Sequence, residues 1–251
     1  ELILNEPSVV AVRNDKTTLE RTVVAVGKEA KAMLGRTPDS IQAIRPMKDG
    51  VIADFTITKK MLQHFIKHVS RSGFFSPSPN VLICVPCGAT QVERRAIKES
   101  AVEAGARDVF LIDEPIAASL GAGVDISVSS GHMIIDIGGG TSEIAITSLN
   151  GLVYADSLRT AGDTFNDEIV KYIRHEHSII IGETTAERIK EDIGSAFKVT
   201  MVKRKTYVGR GVSSGLPEKF IMTSTQVLEA LTVPLSALIS GIRMALEETP
   251  P

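Results

Sequence analysis

The sequence predicts an α/β protein, and three observations carry that prediction. Short apolar segments with alternating polarity recur between longer segments with apolar residues every three to four positions. Glycine, proline and capping residues punctuate the junctions between the two kinds of segment. The 251 residues are 43% hydrophobic and 23% charged, an ordinary globular balance in a chain long enough for two modest domains.

Taken in order, SVVAVRN and RTVVAVG read as strands and KEAKAMLG as a short helix. The segment from Val51 opens a helix with Leu62, Phe65, Ile66 and Val69 on one face. VLICVP reads as a buried strand. QVERRAIKESAVEAG reads as a helix closed by Gly105, with a stripe of Ala96, Ile97, Ala101 and Ala104. DVFLI is the next strand, and Pro115 starts a helix in DEPIAASLGAG. Beyond Met133 come a hairpin, a second strand pair in LVYADSLRT, and a helix with Phe165, Ile169 and Ile173 in register. Thr184 and Glu187 have capping-box spacing ahead of a helix carrying Ile189, Ile193 and Phe197. Short β-like pieces fill 199–222, and the chain becomes helical again from STQVLEAL onward.

The hairpin at Met133–Thr147 carries the most information. Ile135 and Ile137 alternate with Asp136, and Ile144 and Ile146 with Ala145, as half-buried strands should. Between them lie Gly138, Gly139 and Gly140. A tight turn needs one or two residues of positive φ, so a third glycine asks for a further reason. Bare backbone amides can approach a ligand closely, and a row of such donors suits phosphate oxygens. Thr141 adds a hydroxyl, and Asp136 is placed to hold a metal ion through water. No lysine follows the glycines, so the segment is not a P-loop. A flexible hairpin tip is the plain alternative.

Other features exclude functions. A net charge of −2 with interspersed signs gives no reason to expect a nucleic-acid partner. No apolar run approaches the ~18 residues of a membrane span, and no signal peptide is visible. Cys84 and Cys87 form a C-x-x-C, but a redox pair normally opens a helix, whereas Cys84 ends an apolar strand that Pro86 breaks. Two packed thiols at a strand-to-loop junction are expected instead. His175-Glu176-His177 reads as a solvated helix face, because neighbours one and two apart point in different directions.

Three candidate pieces follow one another along the chain. Asp113-Glu114-Pro115 precedes a helix of small residues, where Glu114 either caps the helix or orients a water. The glycine hairpin is second. Glu187-Arg188-Ile189-Lys190 is third, with Glu187 and Lys190 on one helix face. Together with LNEPSVVA, IRPMKDGVIADF, CVPCGATQVERRA, AGDTFND and IGETTAERIKEDIGSAF, they make the chain resemble the actin/Hsp70/sugar-kinase ATPase superfamily, and within it the MreB family of bacterial actins.

The resemblance implies an actin-like (ribonuclease H-like) fold with two similar domains, each bearing a smaller subdomain. The division would be 1–7 and 46–131 (IA), 8–45 (IB), 132–165 and 223–251 (IIA), and 166–222 (IIB). It implies ATP and Mg2+ as cofactors. Gly138, Gly139, Gly140 and Thr141 would hold the β- and γ-phosphates, Asp136 would reach Mg2+ through water, and Glu114 with Thr141 would place the attacking water. Gly162 and Asp163 would line the cleft, and Glu187, Arg188, Ile189 and Lys190 would border the adenosine. Phosphoryl transfer needs mostly positioning and charge neutralisation, which this set can supply.

By the same resemblance the protein is an ATPase that polymerises into double protofilaments at the inner face of the cell membrane. It would maintain rod shape with cell-wall elongation partners such as RodZ and MreC. Phe74 and Phe75, two adjacent aromatics in a Ser/Gly/Pro setting, would dip into the membrane; burying both contributes on the order of 3–6 kcal/mol. The alternative is that they pack on the preceding helix. Two departures stand out. The first phosphate loop and the C-terminal glycine-rich segment of the family are not in this sequence, so the chain reads as a fragment lacking both ends and inactive alone. Asn166 stands where the family usually has an acidic residue, with Asp167 beside it as a possible substitute. Competing functions are an Hsp70-like chaperone ATPase, a small-molecule kinase and a non-polymerising nucleotide-binding scaffold.

Overall fold

The computed structural model describes residues 1–14, 21–35, 37–38, 40–48, 51–69 and 78–249. Phe74 and Phe75 lie outside the described residues. Contacts divide the chain into two compact units, Glu1–Gly123 and Val124–Pro251.

In the first unit, β1 (Val10–Asn14) is the central strand of an antiparallel sheet between β2 (Arg21–Val26) and β3 (Ile41–Ile44). Helix α1 (Lys28–Ala32) follows β2, and a two-strand ribbon of β4 (Met47–Lys48) and β5 (Val51–Ile52) leads to α2 (Phe55–Val69). Period-two alternation explains why β1 is apolar at every position from Val9 to Val12. Val9 and Ala11 pack with Ala25 and Ala30, while Val10 and Val12 pack with Ile57 and Met61 of α2. The fully buried face of α2 is therefore Ile57, Thr58 and Met61; of the apolar face expected from sequence, Phe65 packs against this core and Val69 is 42% exposed.

Strand β6 (Asn80–Val85), helix α3 (Gln91–Glu103), strand β7 (Asp108–Asp113) and helix α4 (Glu114–Gly121) complete the unit. β6 and β7 pair in parallel, and α3 forms the crossover between them. Thr90 and Glu93 make a reciprocal capping box at the start of α3, and Gly105 at φ 113° follows its end. β6 is not the buried strand expected. Leu82 is 62% and Phe110 57% exposed, because the pair is covered on one face only. Cys84 is likewise exposed rather than packed, and neither cysteine is in a disulfide.

In the second unit, β8 (His132–Ile137), β9 (Ser142–Ser148) and β10 (Gly151–Leu158) form an antiparallel meander with β9 in the centre. LVYADSLRT is thus one strand, not two; it pairs along the whole of β9. β9 is also buried on both faces from Ser142 to Thr147 rather than half-buried. Helix α5 (Gly162–His177) runs to a second sheet of β11 (Ile179–Ile180), β12 (Arg204–Gly211) and β13 (Pro217–Thr223), in the order β11-β12-β13. Helix α6 (Glu183–Ile193) precedes β12, and α7 (Ser224–Ala230) and α8 (Thr232–Glu248) close the described chain.

One core joins α5, α6, α7 and the inner face of the second sheet through Ile169, Ile173, Ile189, Ile193, Phe220 and Met222. α8 packs on the first sheet at Gly241, where a Cβ would meet Leu158 and Ile144 at 2.7 and 2.9 Å. Capping boxes occur at Thr90 and Thr223, not at Thr184. α6 begins at Glu183 with Gly182 as N-cap, so Thr184 already lies in the first turn. The helix stops at Ile193, leaving Phe197 outside it and 71% exposed. Among the described residues no single helix is long and apolar enough to cross a membrane; α7 and α8 would qualify only as a pair bent by 61°.

Candidate functional site

The glycine hairpin forms, but the alternation on β8 is inverted: Ile135 is 41% and Ile137 51% exposed, and Asp136 between them is half-buried, because β8 is an edge strand of the meander. Ile137 pairs with Ser142, and the Gly138 amide donates to the Thr141 carbonyl at 2.9 Å to close the tip. The tip rests on the beginning of α5. The Gly162 amide donates to Gly138 O at 3.1 Å and the Asp163 amide to Gly139 O at 2.8 Å. Ser142 Oγ donates to Thr160 O at 2.6 Å, fixing the turn that enters α5. The seam is close-packed: a Cβ on Gly162 would stand 3.3 Å from Gly138 O, 3.5 Å from Lys190 Nζ and 3.7 Å from Gly139 Cα, so a larger residue there would push on the tip.

Lys190 reaches across from α6 and donates to Gly162 O at 2.8 Å, with its ammonium 5.9 Å from the centre of the Phe165 ring. The Asp163 carboxylate lies 3.8 Å from where a Gly139 Cβ would stand. Gly138, Gly139, Gly162, Asp163 and Lys190, as far apart in sequence as 138 and 190, are thus brought together within the second unit. No side chain caps α5, whose positive end points at the loop. Among the described residues the amides of Gly139, Gly140 and Thr141 make no backbone hydrogen bond. Three successive hairpin amides, close to a helix N-terminus and a lysine, suit a polyphosphate in charge.

Asp136 is half-buried on β8 and stands in register with Glu143 of β9, so both carboxylates are on one face of the sheet. Glu143 is 1% exposed and accepts from Ser157 Oγ at 2.6 Å. It was not among the residues singled out from sequence, although an acid inside an apolar strand is a usable signal. Oxygen donors of this kind fit a hydrated Mg2+ ion. Asn166, on the second turn of α5, is 2% exposed, and among the described residues its Oδ1 has no hydrogen-bond partner.

The Glu187–Lys190 segment divides. Glu187 is half-buried and Lys190 meets α5, but Ile189 is fully buried in the core and Arg188 lies over the Tyr207 ring at 5.6 Å. Of the four, Arg188 is exposed, Glu187 and Lys190 are half-buried and Ile189 is buried. His175-Glu176-His177 holds no metal set: His175 pairs with its neighbour Glu176 at 2.7 Å, and His177 packs on Phe220 with ring centres 5.5 Å apart.

In the first unit, Glu114 is the first residue of α4 and Pro115 the second. The backbone turns sharply there and Glu114 is half-buried. Asp113 does not cap the helix; its carboxylate accepts from Arg94 at 2.6 Å, and Arg94 Nε also donates to Ala89 O at 3.2 Å. Arg94 thereby ties the β7–α4 turn to the loop after β6 and fixes the base from which Glu114 projects.

These features define a member of the actin-like class. The MamK double helical filament shares the fold at a TM-score of 0.77, over 98% of this chain and 74% of that one, at 23% identity. The family is narrower. The MreB/Mbl protein family model matches residues 1–251, and the chain belongs to that family. It is 56% identical to the cell shape-determining protein MreB of Escherichia coli, over 100% of this chain and 72% of that protein. It is 46% identical to the cell shape-determining protein Mbl of Bacillus subtilis, with 100% and 74% covered. The crystal structure of MreB5 of Spiroplasma citri bound to AMPPNP superposes with a TM-score of 0.91 at 38% identity, covering 99% of this chain and 73% of that one; an ADP-bound structure of the same protein matches equally well.

Proposed function

We propose that this chain is the nucleotide-binding body of a cell-shape-determining ATPase that polymerises in response to ATP. One observation carries the reading: the triple-glycine tip seated on the N-terminus of α5, with three successive amides beside Lys190. Nucleotide binding by MreB5, its relative of known structure, supports it.

Gly138 to Thr141 bind the β- and γ-phosphates, and the α5 dipole adds positive potential. Asp136 holds Mg2+ through water; when bound, the ion supplies charge neutralisation on the phosphates. Glu114, assisted by Thr141, orients the attacking water. Glu187 and Lys190 border the ribose and adenine, with Gly162 and Asp163 lining the cleft. Assembly gives double protofilaments at the cytoplasmic face of the membrane, with Phe74 and Phe75 as a weak anchor that avidity multiplies. Elongation proteins such as RodZ and MreC are the partners, and the four-subdomain division is part of the same reading.

The test uses the complete protein. With ATP and Mg2+ on lipid it should sediment as polymer; a monomer under those conditions removes the filament reading. Glu114→Ala should slow hydrolysis and spare ATP binding, and unchanged turnover removes Glu114 from the mechanism.

A further inference from the structure

The sheet β11-β12-β13 buries one face under α5, α6 and α7, so its other face should be polar. It is not. Register places Val208 opposite Lys219, Thr206 opposite Ile221, and Ile180 opposite Arg210, all on the outer face. Ile180 is 43%, Val208 50% and Ile221 55% exposed. Arg204 lies at one end of this apolar row, Arg210 at the other, and Lys219 between them on the neighbouring strand. No acidic residue of the three strands points to that side: Glu218 is opposite Gly209, on the inner-facing register. Among the described residues none of the three cations is in an ion pair.

We propose that this face docks an acidic, amphipathic segment of a partner protein. Charge complementarity selects the occupant. Exposed β-branched side chains in the middle of a sheet offer a flat apolar strip, and three unneutralised cations around it ask for carboxylates. Arg204 and Arg210 are six strand positions apart, about 20 Å, which matches a helix of about 14 residues with its apolar stripe on Val208 and Ile221. The flat strip has no aromatic or long apolar side chain to insert into lipid, which disfavours a membrane. The inference is independent of the nucleotide reading and concerns different residues.

The probe is a fluorescein-labelled synthetic helix of that length, with leucines on one stripe and glutamates flanking it, titrated against the complete protein. It should bind more tightly than a scrambled peptide of equal charge. The triple variant Arg204→Glu/Arg210→Glu/Lys219→Glu should weaken binding about tenfold or more while nucleotide affinity stays unchanged. Val208→Lys, at an exposed position, should weaken it too, with an unaltered circular dichroism spectrum. Methyl resonances of Ile180, Val208 and Ile221 should move on peptide addition. Equal binding of the scrambled peptide, or of the triple variant, overturns the proposal. So does dependence of phosphatidylglycerol-vesicle binding or of self-association on the three cations, if peptide binding does not depend on them.

Discussion

Replacing Lys190 by methionine tests whether α6 holds the glycine tip in place through α5. The ammonium donates to Gly162 O at 2.8 Å, and Gly162 is itself bonded to Gly138. A charged hydrogen bond contributes roughly 1.5–3 kcal/mol where it is screened from water, and Lys190 is half-buried, so the lower end applies. The 5.9 Å contact with Phe165 is at the outer limit for cation–π attraction and adds little. Methionine keeps the stem, so packing changes little. The expected loss is about 1–2 kcal/mol. Intrinsic tyrosine fluorescence reads it selectively. The chain has no tryptophan and three tyrosines, Tyr154, Tyr172 and Tyr207, all in Val124–Pro251. In urea the tyrosine-detected midpoint should fall, and the affinity for a fluorescent ATP analogue should drop about tenfold, since 1.4 kcal/mol is a factor of ten. An unmoved urea midpoint refutes the clamp, even if nucleotide binding weakens.

Two further expectations concern the second unit. Gly209→Ala would place a Cβ 2.9 Å from the Ile180 carbonyl, a backbone atom that cannot swing aside, and should cost about 1–3 kcal/mol; a wild-type thermal midpoint would contradict it. Alkaline titration is the other. Burial, then the hydrogen bond to Glu229, pushes the Tyr172 phenol up to about 12; burial and Asp192 push Tyr207 further, and burial with Asp156 also raises Tyr154. Because the folded state favours the neutral phenols, their contribution is complete below the ordinary tyrosine range near 10 and is lost as pH rises toward 12. Two of the three tyrosines, Tyr172 and Tyr207, should therefore ionise at higher pH in the native protein than in urea when followed by tyrosinate absorbance; all three ionising together near pH 10 in the native protein would contradict their placement.

How far the sequence could be read depended on how local each signal is. The hairpin and α5 are legible because their signals lie in consecutive residues, although on β8 the isoleucines turn out to be the exposed positions. The seating of the glycine tip on α5 is seen only in the structure, since nothing adjacent to Gly138 announces Gly162. Glu143 was passed over because its meaning comes from register with Asp136, not from spacing. Arg94–Asp113 is invisible for the same reason. Thr184 misled because S/T-x-x-E occurs inside a first turn as readily as before one, and Gly182 had already taken the cap. Leu82 and Phe110 read as buried because apolarity reports preference, whereas exposure depends on what covers the sheet.

The sixteen residues of α5 make a rod about 24 Å long, joined at one end to the glycine tip by two hydrogen bonds from its amides and at the other to Phe220 of β13 through His177. A rod held at both ends carries load along its axis. A displacement of the tip along the axis of α5 would load the His177–Phe220 contact, so the two ends of the helix are mechanically coupled within the second unit.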